Sequence, residues 1–186
     1  MVRRSPKRKV RINIRQMEID DISAVYRLGE SLFTSEEFPI LYRTWDPWEV
    51  TDFFTSDPEY CLVAETEPSG KIVGFALATI LEKKGTAWRR YGYLTWIGID
   101  DKFQRSRLGY RLYRRMEQKF KKDGVRMMMV DTEEDNEDAI SFFTSLGFSP
   151  GGGHIWLTKI LPGRAKKATA SAVATARRDE GGGSSR

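Results

Sequence analysis

At 186 residues, 40% hydrophobic and 12% aromatic, the chain has enough apolar mass for one ordinary core. No run of about 18 apolar residues is present, which argues against a membrane-spanning helix. The single cysteine (Cys61) and single histidine (His154) argue against a disulfide framework and any metal site.

The net charge of +5 belongs to the ends. Residues 1–11 and 162–186 hold 12 of the 31 basic residues and 2 of the 26 acidic ones, which leaves 19 against 24 between them. The expected organisation is a basic, disordered arm over 1–11, one domain over 12–161, and a disordered basic tail rich in Ala, Gly and Ser over 162–186. The arm has no apolar stretch behind it and is not a secretory signal, so the expected compartment is cytoplasmic. Cys61, inside the apolar run YCLVAE, reads as core.

In chain order, Val10–Arg15 alternates with period two and predicts a strand. Apolar residues at helical spacing predict a helix over Ile19–Phe33, with Asp20 or Asp21 as N-cap. Phe38–Trp45, aromatic and carrying Pro39, reads as loop. Asp46-Pro47 predicts a helix start, proline being favoured in the first turn. Tyr60–Glu65 and Lys71–Ile80 predict a hairpin turning through EPSGK, and Trp88–Ile99 a further long strand. A helix over Tyr110–Lys122 follows, then a buried strand over Val125–Thr132. Asn136–Leu146 predicts a helix stopped by Gly147. Two more strands are expected, one from Phe148 and one over Ile155–Leu161. The fold class is α/β (α+β), a mixed sheet with helices on its faces.

Two stretches carry chemistry. DDKFQRSRLGY, Asp100–Tyr110, is an Arg-rich turn between a strand and a helix start. Helix-start N–H groups lack internal partners, the helix dipole is positive there, and Arg105 and Arg107 add charge, so phosphate suits the place. The second is Asn136, Ala139, Phe143, Gly147 and Phe148, with Asn136 at a cap position and Ala139 and Phe143 on one helical face. Gly98 invites a bulge in the preceding strand.

Together these stretches resemble the GNAT superfamily of N-acetyltransferases, in feel closest to those acting on ribosomal proteins and protein N-termini. The family's loop pattern Q/R-x-x-G-x-G/A is met by Gln104, Arg105, Ser106, Arg107, Leu108 and Gly109, with Arg107 in place of the first glycine. Phe143 stands where a tyrosine is usual. The resemblance implies a mostly antiparallel sheet with a splayed strand pair that binds acetyl-CoA. It implies that Ile97, Gly98 and Ile99 meet the pantetheine arm, residues 105–110 hold the pyrophosphate, Asn136 binds near the pantetheine, and Phe143 lines the thioester wall. By the same resemblance Asp131 is a candidate base and Tyr93 occupies a position used by a tyrosine in some relatives. With Phe143 unable to donate a proton, Tyr110 or water is the candidate donor. Glu36, Glu37, Tyr42, Trp45 and Trp48 border the acceptor cleft.

The implied activity is acetyl transfer to a primary amine by direct attack in a ternary complex. The acidic middle of the chain suits a cationic acceptor: a protein N-terminus, a lysine or a small amine. Two other readings stay open, a catalytically weak or silent acyl-CoA-binding regulator and a nucleic-acid-associated protein acting through its basic tails. A homodimer is compatible with the resemblance.

Overall fold

The computed structural model describes residues 10–34 and 45–151. Residues 1–9 of the expected arm, the C-terminal tail, the strand over Ile155–Leu161, and Glu36, Glu37 and Tyr42 lie outside the described residues, while Arg11 opens the first strand instead of ending the arm. The chain divides into two compact units, Met1–Glu133 and Glu134–Arg186.

The first unit is built on a five-stranded sheet whose spatial order follows the chain. Strand β1 (Arg11–Gln16) pairs with β2 (Cys61–Glu67), β2 with β3 (Lys71–Glu82), and β3 with β4 (Arg90–Ile99), all antiparallel. Only β5 (Met127–Met129) runs parallel to its neighbour, β4. The β2–β3 hairpin forms where EPSGK predicts it, with Gly70 at φ +67 supplying the left-handed residue. β2 is buried along nearly its whole length and β3 from Ile72 to Ala78, as expected of central strands covered on both faces.

Helices α1 (Ile22–Leu32) and α2 (Pro47–Ser56) pack on one face, and α3 (Leu108–Lys122) on the other. The α2 start is as expected: Asp46 accepts the Glu49 N–H at 2.9 Å and Pro47 is the first helical residue. The α1 start differs. A 3-10 turn, Ile19–Asp21, precedes the helix, with Glu18 and Asp21 as a reciprocal capping box. Asp21 does occupy the N-cap position of α1, as expected, but makes no side-chain cap bond there. Its carboxylate takes two Arg15 bonds, at 2.6 and 3.0 Å, while Arg15 also reaches Glu65 at 2.9 Å.

On the α1/α2 face the core contains Val25, Val50, Phe75, Leu77 and Trp96, with Trp45 stacked on Phe75 at 5.2 Å between centroids. Trp45 lies so close over α1 that a Cβ on Gly29 would stand 2.1 Å from its ring. On the α3 face, Leu112, Met116 and Phe120 are fully buried, and Phe120 stacks on Tyr60 at 5.0 Å.

β4 carries an irregularity that decides which way its side chains point. Leu77 pairs with Trp96 and Ala78 with Leu94, so Thr95 is one extra residue, a β-bulge. Before it, Gly92 faces α3, for a Cβ there would stand 2.7 Å from Phe120. After it, Gly98 faces α1, against Phe75 and Leu32, and Trp96 belongs to the α1/α2 core. The extra residue switches the alternation, so Tyr93 and Trp96 share the α1/α2 face.

The bulge is therefore at Thr95, not at Gly98. Gly98 keeps regular register opposite Phe75, and its missing side chain makes room for that ring. The eight-residue strand expected over Val125–Thr132 is also corrected. Val125 is buried, but only Met127–Met129 pair, and Met129 is already 38% exposed.

In the second unit, α4 (Glu137–Ser145) is capped by Asn136, whose side chain accepts the Ala139 N–H at 3.1 Å. Gly147 (φ +94) ends it in a Schellman motif: its N–H reaches Thr144 O at 3.0 Å, and the Phe148 N–H reaches Phe143 O at 3.1 Å. The Phe143 and Phe148 rings meet at 5.5 Å, the apolar contact that accompanies this motif. No strand begins at Phe148 within the described residues.

Candidate active site

A sheet edge that stops being paired is the first component of the site. β5 bonds β4 only at Tyr91, Gly92 and Tyr93. From Leu94 to Ile99 no strand lies on that side among the described residues. Outward backbone groups along such a stretch can take an extended ligand as an added strand. Ile97, Gly98 and Ile99 all lie on it.

The loop that follows is the second component. Asp100 accepts the Lys102 N–H at 3.0 Å and pairs with Lys71 at 2.8 Å. The Lys71 bond leads in holding the Asp100 carboxyl below its ordinary range, against some opposing burial. A 3-10 turn over Asp101–Phe103 leads into Gln104, whose side chain donates to Asp101 at 2.7 Å. Arg105 and Arg107 are both left-handed, at φ 58 and 63. Arg107 is the N-cap of α3 and gives it no side-chain cap.

The first intrahelical bond of α3 runs from the Arg111 N–H to Arg107 O at 3.0 Å. The N–H groups of Leu108, Gly109 and Tyr110 precede it and have no helical acceptor. A left-handed residue followed by a helical one makes a concave nest of N–H groups suited to an anion. Gln104, Arg105, Ser106 and Arg107 are exposed, while Leu108 is buried and anchors the helix start. Arg107 thus adopts a conformation that costs a non-glycine residue about 1–2 kcal/mol. This explains in physical terms why glycine is usual there.

Two carboxylates on the first unit are the third component. The Tyr93 hydroxyl donates to Asp131 Oδ1 at 2.7 Å, joining β4 to the segment just beyond β5. Asp131 is exposed. Three residues along β4, the Trp96 indole N–H donates to Glu49 Oε1 at 2.7 Å. The Thr95 bulge is what puts the two tethering aromatics on one face.

Glu49 carries no site signal in the sequence, because Asp46 and Glu49 have the spacing of a helix cap, and Asp46 does serve as one. Thr95 was hidden too: YLTWIGI is apolar on both faces, so its alternation shows no break. Thr95 Oγ1 is a buried hydroxyl without a hydrogen-bond partner among the described residues.

Other expected residues take different places. Trp45 is 8% exposed and donates its indole N–H to Tyr26 O at 2.9 Å, so it is a core residue instead of a cleft wall. Trp48 is 74% exposed. Tyr110 lines a groove beside β1 with Ile12 and Asn13. In the second unit Asn136 caps α4 through its carbonyl oxygen, leaving its amide nitrogen to donate elsewhere, and Phe143 is buried. Cys61 is buried, and burial first, with Asp57 and Glu59 adding to it, pushes its thiol up to about 12. It stays protonated at neutral pH and does not serve as an acyl-accepting nucleophile.

Among the described residues no helix is long and apolar enough to cross a membrane.

Comparison with known proteins agrees with this geometry. Residues 24–148 match the model of the acetyltransferase (GNAT) family. The ribosomal protein bS18-alanine N-acetyltransferase of Escherichia coli (strain K12) is 24% identical over 136 residues, covering 73% of this chain and 80% of that protein. An aminoglycoside N-acetyltransferase in complex with CoA superposes with a TM-score of 0.65 at 21% identity, over 82% of this chain and 97% of that one. Ard1 from Thermoplasma volcanium superposes with a TM-score of 0.61 at 21% identity, over 74% and 82%.

Proposed function

The chain belongs to the acetyltransferase (GNAT) family, and on that premise we propose that it transfers an acetyl group from acetyl-CoA to the N-terminal amine of a protein. The observation that carries the reading is the adjacency of the open β4 edge, Leu94–Ile99, to the uncapped start of α3 at Leu108. The bound thioester supplies an activated acetyl group. The chain's own residues supply the rest.

In this reading the backbone of Ile97, Gly98 and Ile99 receives the pantetheine arm. The N–H groups of residues 105–110 hold the pyrophosphate, with the Arg105 and Arg107 guanidinium groups beside them. Backbone N–H groups of the open edge stabilise charge that builds on the carbonyl oxygen.

An amine is mostly protonated at neutral pH and must lose a proton before it attacks. Asp131, oriented by the Tyr93 hydroxyl, takes that proton. Glu49, oriented by Trp96, offers a second negative charge to the cationic acceptor. Water returns a proton to the departing thiolate. The buried, protonated Cys61 supports direct attack over a covalent acyl-enzyme. The acidic middle of the chain and the likeness to a protein-alanine acetyltransferase support a protein N-terminus as acceptor.

The test is release of CoA thiol by the full-length protein with acetyl-CoA and a panel of acceptors: peptides with a free N-terminal alanine, lysine peptides with blocked ends, and small amines. Turnover is expected with the free N-terminus. CoA binding without turnover on any amine would sink the proposal.

A further inference from the structure

On the outer side of α3, a groove of ≈ 480 Å³ separates this helix from the edge strand β1. Ile12, Asn13 and Ile14 form one wall, and Arg111, Arg114 and Arg115 stand on the other. Spacings of three and four residues put the three guanidinium groups on one helical face. The charge there opposes the rest of the domain: α3 holds six basic residues and one acid, Glu117, within a middle segment that is acidic on balance.

Glu117 is already engaged by Arg114 at 2.5 Å and Lys121 at 3.1 Å. Arg111 is fixed across the groove by a 2.9 Å bond from its Nη2 to Ile12 O. Arg115 makes no ion pair among the described residues.

We propose that this groove binds the phosphodiester backbone of a single-stranded nucleic acid. Guanidinium forks match phosphate oxygens better than ammonium groups do, and this wall is made of arginine. Tyr110, 47% exposed at the groove, offers a ring on which a base can stack. Tyr110 is the one large apolar side chain exposed on α3, which disfavours a lipid surface as the occupant. Arg111, Arg114 and Arg115 lie beyond the proposed pyrophosphate cradle, residues 105–110, to which Tyr110 gives its backbone N–H and not its ring.

The test is fluorescence anisotropy of a labelled single-stranded RNA of about 16 nucleotides with the full-length protein. Affinity should fall with salt between about 50 and 200 mM, with a log–log slope of about −2 or steeper, since each neutralised phosphate contributes about −0.7. An Arg114→Ala/Arg115→Ala double variant should bind roughly tenfold or more weakly and lose about 1.4 from that slope. Its melting temperature and acetyl-transfer rate should be unchanged.

Wild-type affinity in the double variant would overturn the proposal, because the tails alone would then bind. So would loss of the RNA on saturation with CoA, which would assign the groove to the far end of the cofactor. Equal competition by polyglutamate or phosphatidylserine vesicles would overturn it as well.

Discussion

Tyr93 and Trp96 stand on the same face of the sheet although they are three positions apart, because Thr95 is an extra residue in β4. Each holds a carboxylate, Asp131 at 2.7 Å and Glu49 at 2.7 Å. In regular β4 the two carboxylates would be tethered from opposite faces. The bulge therefore links a backbone irregularity to the placing of two negative charges beside one open strand edge.

That link assigns the two carboxylates different kinetic effects. Asp131→Asn keeps an acceptor for the Tyr93 hydroxyl but removes the base, so kcat should fall by about 10²–10⁴ with KM for the acceptor little changed. Tyr93→Phe leaves the carboxylate and loses its orientation, so its drop should be smaller. Steady-state kinetics on both variants with one peptide checks this. Equal rates for wild type and Asp131→Asn would remove Asp131 from the mechanism.

Glu49→Gln should do the reverse. Glutamine still accepts the Trp96 indole bond, so folding is preserved. The lost charge should raise KM for a cationic acceptor by about tenfold, equivalent to about 1.4 kcal/mol, and leave kcat within a few-fold. An acetylation assay comparing a cationic peptide with one bearing acidic second and third residues separates charge from packing.

Much of this architecture was legible in the chain. Asp46-Pro47 announced α2, EPSGK the hairpin, and the run from Asn136 to Gly147 announced a helix with both of its caps. Those signals are local, set by what a cap or a turn requires of one or two residues. The bulge is not local. It depends on Phe120 filling the space at Gly92 while Phe75 and Leu32 fill that at Gly98, contacts far apart in sequence. β5 was over-read for a similar reason. MMMV looks like core, but its pairing ends at Met129, where the edge of β4 opens.

Arg107 tests the helix-start geometry apart from any chemistry. Its φ of 63 is a glycine's conformation, so Arg107→Gly should relieve about 1–2 kcal/mol of strain. Greater freedom of the unfolded chain should give back about 0.4–1 kcal/mol. A small net gain in the urea midpoint is expected. Arg107→Val, β-branched at the same φ, should lower it. A midpoint that moves the other way in both variants would contradict the left-handed cap.

The Arg15 network predicts how stability responds to acid. Burial alone would raise the Asp21 carboxyl, but the Arg15 bond, the Glu18 N–H and the charge of Arg15 outweigh it and hold Asp21 below its ordinary value. The bonds from Arg15 and Asn13 lower Glu65 as well. Groups depressed in the folded state stabilise it fully above their unfolded values, in the usual carboxylate range near pH 4. That stability is lost as pH falls through the folded values. Arg15→Met should therefore cost about 2–3 kcal/mol at neutral pH, the scale of a hydrogen-bonded charge left without its partner. The gap between wild type and variant should narrow steadily as the medium is acidified below about pH 5. Urea denaturation across a pH series measures it, and a gap that stays constant down to the acid limit would show that Arg15 stabilises by packing instead of by charge.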